Sequence, residues 1–435
     1  MLKQLTYKSC KEPLKPNIEE LSKRFNHICI LDSNPEANSN QAIQNDTLIA
    51  IGKTKELVVY TGSTLEPLQS FIDKNTGQWL FGAMSYDLKN EIENLHSENT
   101  DNIGFPLLHF FVPEIVLQLK EETITVCFDD TLISEKRAAD IYELTFKAAE
   151  ISEHNEQQNQ RCNIASRISR NEYISAVTQL KQHIQKGDIY EINFCQEFYA
   201  ENALINTAGT FKRLNAISQA PFSAYYNTSD HCLICSSPER FIQKQGKRLM
   251  SQPIKGTAKR SENKEEDALL KEQLRNSTKE RSENVMIVDL VRNDLSKVAK
   301  RGSVKADELF GIYSFKQVHQ MISTVSCQIK DGIAFTDIIK STFPMGSMTG
   351  APKVSAMQLI EKYESTRRGL YSGSIGYINP EGDFDFNVVI RSIIYNRNTR
   401  YLSFMVGSAI TDKSEAESEY DECLLKAKAM FDVLK

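Results

Sequence analysis

Residues 250–260 read Met250-Ser251-Gln252-Pro253-Ile254-Lys255-Gly256-Thr257-Ala258-Lys259-Arg260. An apolar, strand-like run ends at Pro253, and Lys255 follows between Ile254 and Gly256. Proline fixes φ and glycine lacks a Cβ, so the backbone is tightly shaped at this point. Most lysines are solvated at the surface. The neighbours of this one are apolar or turn-forming rather than charged, so it can be aimed inward.

Outward from this stretch the chain offers carboxylates. Glu239, in Ser236-Ser237-Pro238-Glu239-Arg240-Phe241, precedes Lys255 by 16 residues, on a strand that could pair with the lysine's own. Lys279-Glu280-Arg281-Ser282-Glu283-Asn284 opens an apolar helix, and Glu280 and Glu283 share one side of it. Acids in a first turn also suit the helix dipole. Near the C-terminus Glu415, Glu419, Glu422 and Lys426 form one helical stripe, which a solvated face with a Glu422–Lys426 pair would explain for an isolated helix. His319 stands alone in the apolar run Val318-His319-Gln320-Met321-Ile322, where a satisfied core histidine is as good a reading as a functional one.

Five stretches recur in an order that resembles the chorismate-utilising enzyme family. They are Pro253–Thr257, Ser237–Phe241, Lys279–Leu295, Ser347–Lys353 and the run from Tyr371 through Arg391 to Gly407. Lysine at position 255 is the form carried by the members that aminate C4 of the ring, whereas the anthranilate-forming members usually have alanine. The resemblance is strong over roughly 170–435 and weak before it. It implies an α+β fold of two large packed β-sheets with helices outside.

It also implies roles. Lys255 is the nucleophile towards C2, and Glu239 the general acid for the departing C4 hydroxyl. His319 helps orientation or later proton transfer. Glu283 and Glu422 hold Mg²⁺, with Glu280 and Glu419 in the outer shell or acting through water. Such a site, with few protein oxygens and an anionic ligand, suits that ion. Lys426 faces the ring carboxylate. Tyr371 and Arg391 bind the enolpyruvyl carboxylate, for which a guanidinium fork is well shaped. The loop with Thr349 and Gly350 offers backbone N–H groups before a helix, and Gly407 lines the wall. Burial and nearby cations would lower the pKa of Lys255, while Glu239 and Glu191 oppose them, and the sequence leaves the balance open. Several positions depart from the family pattern: Glu191 for glutamine, Asn284 for histidine, and Met345 and Ala409 for glycine. The absence of lysine at 191 speaks against adding water to chorismate.

The implied reaction turns chorismate into 4-amino-4-deoxychorismate, towards p-aminobenzoate and folate. No Cys-His-Glu glutaminase pattern is present, so ammonia is expected from a separate glutamine amidotransferase subunit. Two alternatives remain at this level: an anthranilate-forming component, and a non-catalytic relative that binds a carboxylate.

The 435 residues are 40% hydrophobic and 25% charged, with a net charge of -5 and a pI near 5.9, which gives no sign of nucleic-acid binding. No apolar run reaches the length of about 18 residues that spans a membrane, and no signal-peptide block opens the chain. Nine scattered cysteines suit a reducing cytoplasm. Cys232 and Cys235 have no second pair for a zinc ribbon and read as part of a buried strand.

Organisation is expected as an N-terminal region, 1–150, packed on a catalytic region, 169–435, with a polar linker at 152–167. Strands are expected at 27–32, 57–60, 123–128 and 188–194, and helices at 134–151 and 171–185, the last capped by Gly187. A further helix is expected to hold Leu88, Ile92 and Leu95.

Overall fold

The computed structural model describes residues 2–8, 15–34, 47–120, 123–146, 162–316 and 318–435. Among them, two antiparallel sheets of 12 and 10 strands form the body of the molecule. Alternation with period 2 explains how they pack. On Phe222–Asn227 and His231–Ser237, Ala224, Tyr226, Leu233 and Cys235 enter the core between the sheets. Tyr225, Cys232 and Ile234 point to the other face, into a second core beneath helices. Cys232 and Cys235 thus lie on opposite faces of a strand buried on both sides, and cannot share a ligand. Across the gap, the Phe111 and Tyr226 rings lie 6.0 Å apart, and Asn387 Nδ2 donates to the Phe222 carbonyl at 3.2 Å.

Helices cover the outer face of the first sheet. Helix Arg170–Lys186 buries Tyr173, Val177 and Leu180, starts with a Ser169 capping box and stops at Gly187, whose φ of +84° only glycine adopts cheaply. Helix Ala416–Leu434 runs beside it. On the second sheet, helix Thr278–Val298 buries Ile287, Val288, Val291 and Leu295 against the strand Val318–Gln328.

The early chain is woven into both sheets. Strand Ile28–Asp32 pairs with Phe222–Asn227 in the first, and Leu80–Met84 pairs with Ser374–Ile378 in the second. The expected strands at 57–60 and 123–128 are Lys55–Val59 and Thr123–Asp129. Three expectations shift. The strand expected from 188 begins at Glu191. The helix expected through Leu95 is only a 3₁₀ turn, Tyr86–Leu88, and one α turn, Lys89–Ile92. The helix expected at 134–151 is described over Glu135–Phe146. Its remainder, and residues 152–161 of the expected linker, lie outside the described residues.

Candidate active site

Lys255 sits in a β-bulge. Its strand, Ile254–Lys259, pairs Ile254 with Ile322 and then Thr257 with Gln320, so one extra residue is inserted at 255–256. Gly256 takes φ +93°, and a Cβ there would come within 3.0 Å of Glu280 Oε2. The bulge turns Lys255 inward until its side chain is buried, and Nζ donates to Glu191 Oε1 at 2.5 Å. Glu191 opens the strand Glu191–Ala200, and its other oxygen, Oε2, is buried with no hydrogen-bond partner. Burial works to lower the pKa of Lys255. The charge and hydrogen bond of Glu191, with Glu283 and Glu239 behind them, outweigh burial and leave it raised. The balance left open by the sequence falls on the carboxylates' side, and the lowering that burial and cations would give does not occur.

Glu239 is also buried, and its Oε1 accepts from Ser347 Oγ at 2.6 Å. Burial pushes its pKa up to about 7, against the Ser347 hydrogen bond, the Lys255 charge and the Ile254 backbone N–H. The strand that follows it, Arg240–Gln245, pairs directly with Arg248–Gln252, with Arg240 opposite Gln252. Through Pro253 that strand runs on into Ile254–Lys259 along the same edge of Val318–Gln328, which sets Glu239 beside Lys255. Arg240 turns away into the core, where it pairs with Asp385 and Gln252.

Four carboxylates surround Lys279. Its Nζ lies 4.0 Å from Glu283 Oε1 and 3.9 Å from Glu419 Oε1, and Glu280 and Glu422 also act on its charge. Burial raises Glu283 to about 7, and its Oε1 is buried without a hydrogen-bond partner. Glu419 is buried, whereas the Glu422 side chain is 47% exposed and pairs with Lys426 at 2.6 Å. Of the two C-terminal acids, Glu419 is the one with a carboxylate oxygen within 4.0 Å of the Lys279 ammonium.

Arg391 has φ +52°, a conformation costly for a side-chain-bearing residue. Among the described residues no carboxylate pairs with its guanidinium, and burial lowers its pKa despite Tyr371 and Glu422. Tyr371 is buried, its hydroxyl 3.8 Å from Cys195 Sγ. Lys426 Nζ donates to the Gly407 carbonyl at 2.9 Å, and a Cβ on Gly407 would meet Cys195 Sγ at 2.5 Å. Gly350 and Ala351 pair with Ile192 and Glu191, so close that a Cβ on Gly350 would lie 2.1 Å from the Glu191 carbonyl. Thr349 Oγ1 donates to Met345 O at 3.1 Å, within its own loop.

His319 is buried with both ring nitrogens engaged, Nδ1 by Ser314 Oγ at 2.8 Å and Nε2 by Asp267 Oδ1 at 3.0 Å. It is level with Ala258 on the neighbouring strand, beyond Lys255.

Sequence reasoning missed three supporting residues. Lys279 was quoted only as part of a motif. Arg368, paired with Glu364, donates to the carbonyls of Met348 at 2.6 Å and Asn193 at 2.7 Å, tying the Thr349 loop to the Glu191 strand. Lys353 pairs with Asp294 at 2.5 Å and ties the same loop to the acidic helix. The Glu364–Arg368 pair has i,i+4 spacing but lies past the end of helix Lys353–Tyr363, and Lys353 and Asp294 are 59 residues apart in sequence.

The model of the chorismate binding enzyme family matches residues 26–432. Aminodeoxychorismate synthase component 1 of Bacillus subtilis (strain 168) is 33% identical over 80% of this chain and 75% of its own length. The protein of that name from Salmonella typhimurium is 38% identical over 62% of this chain, a match that spans 59% of its length. Among solved structures, anthranilate synthase component I from Streptococcus pneumoniae superposes with a TM-score of 0.80 at 25% identity, covering 89% of this chain and 92% of that one. The menaquinone-specific isochorismate synthase of Escherichia coli has a TM-score of 0.79 at 14% identity over 100% of this chain and 95% of that one, a likeness of fold.

Proposed function

We propose that this chain, which belongs to the chorismate binding enzyme family, replaces the C4 hydroxyl of chorismate with an amine, giving 4-amino-4-deoxychorismate. The observation that carries this reading is Lys255, buried in its bulge beside Glu191 with Glu239 on the same site.

Arg391, with no carboxylate of its own, and Tyr371 grip the enolpyruvyl carboxylate; Lys426 attracts the ring carboxylate. Lys255 gives a proton to Glu191 and bonds to C2. The ring double bonds shift, the C4–O bond breaks, and Glu239 protonates the departing oxygen, which leaves as water. Ammonia then bonds to C4, the double bonds shift back, and the amine of Lys255 is expelled. Thr349, Gly350 and Gly407 shape the walls. His319, held by Asp267 and Ser314, would help orientation or later proton transfer.

The four acids fit a divalent cation. Glu283 Oε1 has no hydrogen-bond partner, and a cationic group, the Lys279 ammonium, already lies between Glu283 and Glu419. Glu283 and Glu422 would hold Mg²⁺, with Glu280 and Glu419 in the outer shell or acting through water, and the ion when bound would offset the charge of the ring carboxylate.

A glutamine amidotransferase subunit supplies the ammonia, and the product serves p-aminobenzoate and folate synthesis in the cytoplasm. The name component 1 borne by the relatives supports a partner, and no helix of the described residues is long and apolar enough to cross a membrane. The anthranilate-forming reading rests on the structural neighbour at 25% identity, and Lys255 in place of alanine counts against it.

The test is covalent. With chorismate and Mg²⁺ but no ammonia, the peptide bearing Lys255 should gain the mass of chorismate less water. Lys255→Ala should lose that adduct and most ammonium-dependent product. Wild-type turnover by the alanine variant would leave direct attack by ammonia as the mechanism.

A further inference from the structure

A second constellation lies where the two sheets meet, outside the Lys255 site and the four acids. His27 precedes the strand Ile28–Asp32 of the first sheet. Glu56 and His109 lie on the paired strands Lys55–Val59 and Leu108–Val112 of the second, on the face turned to the first. Glu56 Oε1 is 2.7 Å from His27 Nε2 and 2.9 Å from His109 Nε2, and one ligand atom of each residue lies within 4.8 Å of the others.

We propose that His27, Glu56 and His109 form a zinc site that ties one sheet to the other. Two imidazoles and a carboxylate are a donor set that Zn²⁺ takes with a fourth position left to water. Both histidines are buried, so their rings are held in place, while the Glu56 side chain is 24% exposed and gives the ion a way in. Ligation needs the Nε2 lone pair, hence the ring proton on Nδ1. For His109 that nitrogen meets the Tyr226 hydroxyl, the kind of outer contact that fixes a ligating tautomer. Glu56 offsets one charge of the ion and keeps Lys53 on its second oxygen. Hydrogen bonds from two N–H groups to one carboxylate oxygen would also satisfy these three residues, and the experiment separates the two cases.

The full chain, stripped by chelator and kept in excess Mg²⁺ to fill the acidic site, is titrated with Co²⁺ as a visible probe. One equivalent should produce the ligand-field bands of a four- or five-coordinate ion with nitrogen ligands, and Zn²⁺ should abolish them. Zinc should also raise the melting temperature of the wild type but not of the variants. Glu56→Gln should weaken Co²⁺ binding at least tenfold, and His27→Gln and His109→Gln should remove the bands. Glu56→Gln carries the test alone if the buried histidine variants do not fold. No band at one equivalent, or bands of unchanged strength in Glu56→Gln, would mean a hydrogen-bonded triad and no metal site.

Discussion

In the proposed reaction Glu239 carries the proton that the leaving hydroxyl needs, and burial sets when it has one. With its pKa raised to about 7, about half of the molecules hold that proton at pH 7. In single-turnover mixing with chorismate and Mg²⁺ but no ammonia, adduct formation should fall about tenfold per pH unit above the midpoint. Glu239→Gln should slow the step by about 100-fold or more and abolish that limb. A limb that survives the substitution assigns the proton to another group. The same shift acts on stability. The unfolded carboxyl ionises near 4.5 and the folded one near 7. Its contribution is therefore complete below the lower value and lost as pH rises to the upper, at most about 3 kcal/mol. Denaturation of Glu239→Gln should show a flatter profile across that window. Lys255 gives the converse test. Glu191 is what overrides burial there, so Glu191→Gln should lower the pH at which Lys255 becomes reactive, read by ¹³C reductive methylation. A midpoint unchanged by Glu191→Gln would show that the pair does not govern the lysine. The inward aim of Lys255 was legible from its proline and glycine neighbours. The sign of its pKa shift was not, because it depends on a 2.5 Å approach between residues 64 apart in sequence.

Two helices bring the acids together, and helical geometry explains which of them meet. On Ala416–Leu434 the buried positions are Glu419, Cys423, Ala427, Met430, Val433 and Leu434. A three-residue step turns about 300°, so Glu422 lies about 60° from Glu419, towards solvent. The sequence suggests one stripe through Glu415, Glu419, Glu422 and Lys426, but Glu415 stands in extended backbone before the helix, so only the last three lie on it. Which member is buried was not legible, since that depends on where helix Thr278–Val298 presents Glu283. Lys279 has helical i,i+4 spacing to Glu283, but its approach to Glu419 on another helix leaves no local pattern. Its ammonium now stands between Glu283 and Glu419, where it must compete with any divalent ion. Lys279→Met should therefore tighten Mg²⁺ binding, measured by calorimetry on the substrate-free chain, whereas Glu283→Gln should weaken it at least tenfold. If Lys279→Met loosens Mg²⁺ instead, the ammonium orders the acids for the ion rather than opposing it.

At the scale of the whole molecule, the question is whether the chain before residue 150 is a separate unit or part of the same sheets. Composition marked a polar break at 152–167, and the family resemblance faded before 170, which together suggested a region packed on another. Pairing between strands distant in sequence leaves no local pattern, so the interleaving could not be read in advance. Without residues 1–146, strand Phe222–Asn227 would lose Ile28–Asp32, and Ser374–Ile378 would lose Leu80–Met84. Each would become an exposed edge along a hydrophobic sheet, a template for aggregation. The core between the sheets would also lose Phe81, Phe110 and Phe111, all fully buried. Burial of a phenylalanine contributes about 1.5–3 kcal/mol, so this loss alone rivals the whole stability of an ordinary domain. We therefore propose that 1–150 is not a domain that can be removed. Residues 162–435 expressed alone should be insoluble or lack near-ultraviolet circular dichroism, and should form no Lys255 adduct. Co-expression of 1–151 with 162–435, cut within the polar stretch, should give a complex that purifies as one species and forms the adduct. A soluble 162–435 fragment with native-like dichroism and adduct formation would restore the two-region description and make the N-terminal strands an accessory layer.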